Sequence, residues 1–140
     1  KSFLVSCDNA HALHPNHAEK TDAVNFVTMN GGIVIKESAN QKYTTDAFSR
    51  ALFTGVCQNV NVPVQSFANR SDVVGGSTLG NLSNTPVSVH AVDFGLAQLA
   101  MHSCFETAGV KDTEYAIVAL KEFYETNVQI EEAESVCLEK

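Results

Sequence analysis

Apolar and polar positions along this chain fall into blocks that switch between two periods. Short runs rich in β-branched and aromatic residues stand at Phe3 to Cys7, Ile33 to Lys36, Val62 to Phe67 and Val87 to Val92. Each has the length and composition of a strand, and Pro63 lies near the start of its run, where a missing N–H matters least. Between them the spacing becomes helical. Phe48, Ala51, Leu52, Val56 and Cys57 recur at three- and four-residue steps, predicting a helix over about Asp46 to Gln58 with Thr45 as its N-cap. Ala116, Ile117, Leu120, Phe123 and Tyr124 predict another over about Thr113 to Glu125, and a short helix begins near Ser77 or Thr78. Strands alternating with helices give an α/β fold, a layered sheet with helices on its faces.

Two stretches resist this pattern. Asn9 to Asn30 is polar and rich in His, Asn and Asp, long for a loop, and loops of that length are usually functional. From Asn127 onward the chain is acidic and reads as a frayed or loosely helical tail, so residues 1–126 form the domain and 127–140 an appendage. No internal repeat is visible.

Composition narrows the classes. With 140 residues, 44% hydrophobic and 18% charged, the chain is one ordinary globular domain. A net charge of −7 and the lack of a basic patch argue against nucleic acid. No apolar run approaches the ~20 residues of a membrane span. Cys7, Cys57, Cys104 and Cys137 are far apart with no Cys-x-x-Cys pair, which suits a reduced, cytoplasmic protein. The opening without Met, one residue before a strand, suits a piece of a longer polypeptide.

The chemistry concentrates at Ser6-Cys7-Asp8-Asn9-Ala10-His11-Ala12-Leu13-His14. An apolar run ending in Asp8 puts a carboxylate at the sheet's carboxyl edge, where open α/β folds keep their ligands. Asp8 reads either as a turn cap or as a metal ligand with nearby imidazoles. Pro15 holds His14 extended, which makes His11 the stronger candidate of the two. Lys36 ends an apolar run and is either a snorkelling edge lysine, the commoner case, or a cation at a pocket mouth. Gly75-Gly76-Ser77-Thr78 has a phosphate cradle's composition without its Gly-Lys-Ser/Thr, so a P-loop is rejected. His102 and Cys104, two residues apart, are badly placed for a Cys–His hydrolase.

Four segments in order resemble the C-terminal part of the catalytic domain of the aspartyl aminopeptidase family, zinc metallo-aminopeptidases. They are Ser6 to Ala12 with His14-Pro15-Asn16; Gly31 to Lys36 with Gln41-Lys42-Tyr43; Asn69 to Asp72 with Gly75 to Gly80; and Asp93 to Ser103. Cys7 departs from the small residue expected there. The resemblance implies an αβα sandwich around a mixed sheet, of the phosphorylase/hydrolase-like kind. It makes Asp8 a zinc ligand that also touches the substrate amine, and His102 the last zinc ligand. His11, Lys36 and Tyr43 become substrate contacts, Lys36 facing an acidic side chain. It also implies two zinc ions per complete site, a peptide substrate, and a separate assembly domain building a homo-oligomeric dodecamer. The family's upstream His, bridging Asp and paired glutamates have no counterpart here, so no residue of this chain is assigned as catalytic and the piece alone is expected to be inactive. The alternatives are a non-catalytic α/β module for assembly or peptide binding, and another cocatalytic zinc hydrolase such as a deacylase.

Overall fold

The structure, a computed structural model, describes residues 2–132 and 135–139. In chain order the strands that open it are β1 (Phe3–Cys7), β2 (Ala10–His11), β3 (Ile33–Glu37), β4 (Val64–Ala68) and β5 (His90–Gly95). Four of them make a sheet in the order β1-β5-β3-β4. β1 runs parallel to β5 and β3 to β4, while β3 and β5 are antiparallel, so the sheet is mixed as expected.

Two long helices, α1 (Ala47–Asn59) and α3 (Val110–Glu125), cover one face, with the short α2 (Leu79–Asn84) elsewhere in the chain. Strand alternation sends Ile33, Ile35, Val92 and Phe94 toward Phe53, Cys57 and Ala119 of the two long helices. Phe53 and Phe94 rings lie 4.7 Å apart at the centre of this core. The opposite face is thinner. Val34 and Phe67 pack there against Ala10, Ala97 and Tyr43, and α2 approaches through Gly80, whose N–H donates to Ser6 Oγ. β2 joins β6 (Ala97–Leu99) and β7 (Thr107–Ala108) in a small second sheet. The sandwich is therefore lopsided, and the thin face is where the polar chemistry lies.

Several local expectations need correction. Asp46, not Thr45, caps α1: its carboxylate accepts from Ser49 N while Ser49 Oγ accepts from Asp46 N, a reciprocal capping box. The Thr45 hydroxyl instead accepts from Asp93 N. Ala51 is exposed and Phe53 replaces it on the buried face. On α3, Ile117 and Tyr124 face outward, at 64% and 81% exposure. The buried positions are Asp112, Ala119 and Glu122. The helix begins three residues earlier than its apolar pattern because Asp112 takes Asn30 N and Gly32 N on its two carboxylate oxygens, at 2.6 and 2.9 Å. Over its described residues the acidic tail is neither frayed nor helical: β8 (Asn127–Glu132) and β9 (Ser135–Glu139) pair antiparallel, while residues 133, 134 and 140 lie outside the described residues. Val128 faces Leu138 and Ile130 faces Val136, a two-residue alternation that the intervening charges disguise.

β1 and β5 end side by side. The site depends on how closely they pass there. A Cβ added to Gly95 stands 2.0 Å from the Asp8 carbonyl oxygen and 2.8 Å from Asn9 Cα, both backbone, with no flexible tip to yield. Gly95→Ala is expected to destabilise the fold by about 1–3 kcal/mol, the usual cost of overpacking. It is also expected to displace Asp8, visible as a lower urea midpoint together with shifted Asp8 and Asn9 amide resonances.

Candidate functional site

β1 leaves the sheet at Asp8 and continues, one bend later, as β2; β5 does the same through Leu96 into β6. The two chains stay paired across the bend: Asp8 N donates to Phe94 O, Ala10 N to Leu96 O and Ala12 N to Gln98 O, each at 2.9 Å. Asn9 fills the bend itself. Its side-chain oxygen accepts from Leu96 N and its amide nitrogen donates to Gln98 Oε1.

Beside this bend lies a pocket of about 180 Å³ lined by Asp8, His11, Lys36, Tyr43, Asn69 and His102, among others. All five candidate residues from the sequence thus border one cavity, although they are spread over more than ninety positions. Asp8 and His102 also flank a second groove, which runs along the free edge of β1 beside α2. His14 lines a neighbouring hollow with His17 instead, and the two rings lie 5.1 Å apart.

Lys36 is no edge lysine. β3 sits between β5 and β4, and Lys36 is 2% exposed. Its ammonium lies 2.9 Å from Asp8 Oδ2 and donates to Asn9 O at 3.1 Å. The charge is also 5.1 Å from the centre of the Tyr43 ring. Lysine carries three N–H donors; the third has no acceptor among the described residues. Desolvating an ammonium this far is unfavourable unless its partners are fixed, so the Asp8 pair, half open to solvent on the carboxylate side at 49%, is a structural necessity as well as a chemical feature.

Tyr43 is placed by the loop before α1. Asp93, buried on β5, accepts from Thr44 N and Thr44 Oγ1 at 2.6 and 2.8 Å, which fixes the segment carrying the phenol. The Tyr43 hydroxyl accepts from Asn69 Nδ2 at 3.0 Å, and burial raises its pKa above the usual phenol value.

His102 stands on a turn that follows β6. Ala100 and His102 both have left-handed backbones, φ 55° and 69°, and Ser103 N closes the turn on Ala100 O. Such conformations cost on the order of 1–3 kcal/mol each in non-glycine residues, and persist only where surroundings hold them. Here Glu106 does so, accepting from His102 N at 2.6 Å on one oxygen and from Gln98 Nε2 at 2.9 Å on the other. The roles of Asn9, Gln98, Glu106 and Asp93 were missed in the sequence. The spacing of Glu106, four residues past His102, is a local signal that could mark it as a partner.

Residues 1–124 match the family described as Aminopeptidase I zinc metalloprotease, M18. The chain belongs to this family. It is 48% identical over 124 residues to a probable M18 family aminopeptidase 2 of Clostridium novyi, covering 89% of this chain and 29% of that protein. It is 45% identical to a probable aspartyl aminopeptidase of Ricinus communis, over 89% of this chain and 26% of that one. Among solved structures, it matches that of the Ape4 and Nbr1 complex with a TM-score of 0.86 and 43% identity, over 88% of this chain and 23% of that one. The mApe1 dodecamer of S. cerevisiae matches with a TM-score of 0.77 and 26% identity, over 88% and 26%. The chain thus spans under a third of the length of each of these proteins.

Zinc is the metal in the family's description, and the donors present can be tested against it. Asp8 offers an oxygen, with Oδ1 free of hydrogen bonds among the described residues, and His102 an imidazole with no hydrogen bond on its ring. Both are donor types that zinc takes. The count falls short: among the described residues no group of three or more His, Cys, Asp or Glu could hold a metal. The fit is therefore in kind, as part of a site.

His11 shares the pocket with two other nitrogen groups. Partial burial lowers its pKa below the ordinary imidazole value, and His102 and Lys36 push in the same direction against the opposing pull of Asp8. The folded protein thus takes up this proton at lower pH than the unfolded chain. Its contribution to stability is present above about pH 6.5 and is lost as pH falls from there toward the folded midpoint. An NMR titration is expected to place the His11 midpoint below ~6.5, and Lys36→Met to raise it by removing a cation and freeing Asp8.

Proposed function

We propose that this chain is the C-terminal part of the catalytic domain of a zinc aminopeptidase that removes acidic N-terminal residues, Asp or Glu, from peptides. Residues 1–126 belong to that domain, and residues 127–140 are appended to it. The observation that carries the acidic preference is the buried Lys36 ammonium, with one donor unused and an open pocket before it. A substrate carboxylate supplies the missing acceptor. The need for it grows once Asp8 shares its charge with a metal, because the ammonium then loses part of its compensating anion. The aspartyl aminopeptidase name of the Ricinus communis relative agrees with this preference.

Asp8 and His102 are the metal ligands this chain contributes, in a complete site of two zinc ions. Zinc, when bound, polarises a scissile carbonyl and lowers the pKa of water toward neutrality. This chain's own residues orient the peptide. Lys36 binds the side-chain carboxylate, with the Tyr43 hydroxyl held by Asn69 beside it. Asp8 takes the free amino terminus, and His11, kept neutral at physiological pH, offers an imidazole to the backbone. The general base and remaining ligands come from outside these residues, as do the parts that assemble the holoenzyme, a dodecamer like that of the S. cerevisiae mApe1 structure. Four free cysteines suit a reducing, cytoplasmic setting. Among the described residues no helix is long and apolar enough to cross a membrane.

In the full-length protein, Lys36→Ser is expected to lower kcat/KM on Asp- and Glu-anilides about 10- to 100-fold, the worth of a charge-assisted hydrogen bond. Hydrolysis of Leu- and Ala-anilides should fall by a smaller factor, so that the ratio of acidic to neutral activity drops. An unchanged profile removes Lys36 from specificity. Zinc-dependent turnover by the 140-residue piece alone contradicts the divided site.

A further inference from the structure

One hydrogen-bonded chain links the two halves of the pocket. It runs from the Lys36 ammonium to Asn9 O, through the Asn9 side chain to Gln98 Oε1, from Gln98 Nε2 to Glu106 Oε2, and from Glu106 Oε1 to the N–H of His102. Every link is 3.1 Å or shorter. Each amide uses its oxygen and its nitrogen, and each carboxylate oxygen of Glu106 has one donor. Gln98 is 6% exposed, so its amide is not free to exchange these partners for water. At the far end the network grips a backbone that is not in its relaxed basin, His102 at φ 69°. At the near end it meets the peptide that follows Asp8.

We propose that Glu106 and Gln98 form a positioning relay that fixes the His102 backbone relative to the strand end carrying Asp8, so that both donors are held in place before metal arrives. The inference rests on the zinc reading given above and adds the residues that set its geometry. A local role for Glu106 as a turn cap accounts for the bond to His102 N but not for the second oxygen on Gln98. Nor does it explain why Gln98 in turn holds Asn9, 89 positions away.

The pattern of donors and acceptors makes the relay testable by exchange. Glu106→Gln sets an amide NH2 against either the Gln98 NH2 or the His102 N–H, so one bond is lost whichever way the amide turns. Gln98→Glu sets two carboxylates face to face. The double variant Gln98→Glu with Glu106→Gln restores every bond with the same net charge, since residue 106 then donates to 98 and still accepts from His102 N. In the full-length protein, zinc affinity measured by chelator competition is expected to fall about 10- to 100-fold in each single variant, as for other supports of metal ligands. It should return to within about threefold in the double variant. The visible spectrum of the cobalt-loaded protein should change in the singles and recover with it.

Single variants that melt lower yet bind zinc as tightly as the parent overturn the relay and leave a structural role. So does a loss that the double variant fails to recover while melting like the parent. Asp8→Ala and His102→Ala separate the two readings. If both keep parental zinc affinity, the metal assignment itself fails; if both lose it while the relay variants do not, only the relay fails.

Discussion

An ammonium buried in the middle of a sheet is the constraint around which this part of the fold is arranged. Lys36 lies on the third of four strands in spatial order, directly after the aliphatic run Ile33 to Ile35 on β3. Leaving its charge without a partner would cost several kcal/mol. Its partners are not on neighbouring strand positions. Ile35 stands opposite Phe94 and Val34 opposite Gly95, so the lysine stem must run back along the thin face to reach the end of β1. The end of β1 comes this close because Gly95 has no side chain: the Asp8 peptide lies directly over the space one would fill. A glycine, a carboxylate and an ammonium on three adjacent strands are thus one mutual requirement, in which each makes the others' positions possible.

The lopsided layering follows from the same requirement. α1 and α3 bury an aliphatic and aromatic face that needs no polar atoms. The opposite face must accommodate Lys36, Asp93, Ser6 and Thr78, all under 9% exposed. Long helices offer few free hydrogen-bonding groups along their sides, because their backbone is internally satisfied. Loops, strand ends and the short α2 do offer them. Thr44 and Thr45 answer Asp93, the peptide after Asp8 answers Lys36, and the N–H of Gly80 answers Ser6. The polar face is covered by irregular backbone for that reason, and irregular backbone leaves a pocket.

How much of this the sequence discloses depends on the range of the interaction. Strand and helix placement was legible because periodicity is local, and Asp8 stood out because a strand ends on it. The gathering of Asp8, Lys36, Tyr43 and His102 was reachable only through the order of four family segments, since no spacing rule connects residues so far apart. Lys36 itself misled: taken alone, a lysine closing an apolar run is most simply an edge residue, and only the strand order shows it enclosed. Thr45 was assigned the cap that Asp46 provides, because either residue suits that position and the choice was made by Asp93, nearly fifty residues on. The apolar stripe of α3 was misplaced for a similar reason. Asp112 and Glu122 are pulled inward by hydrogen bonds to Asn30, Gly32 and Asn59 that hydrophobicity cannot register.

The division of chemistry within the pocket also has a physical logic. In the proposed function, everything that reads the substrate's side chain is internal to these residues: the ammonium on β3, the phenol beside it, the amide of Asn69 that holds the phenol, and the buried Asp93 that fixes the loop. Charge selection requires that kind of rigidity, because a carboxylate is distinguished from a neutral group only if the cation cannot relax into water. The proposed metal binding is different. Asp8 and His102 are the more solvent-open members of the group, both on the groove along the unpaired edge of β1, where a further segment can bring additional donors without disturbing the buried pair. The proposed specificity pocket, which folds complete, and the proposed metal site, finished from its open side, can tolerate separate assembly. The reverse arrangement, with the ammonium at the seam, would leave a buried charge unpaired until the partner segment arrived.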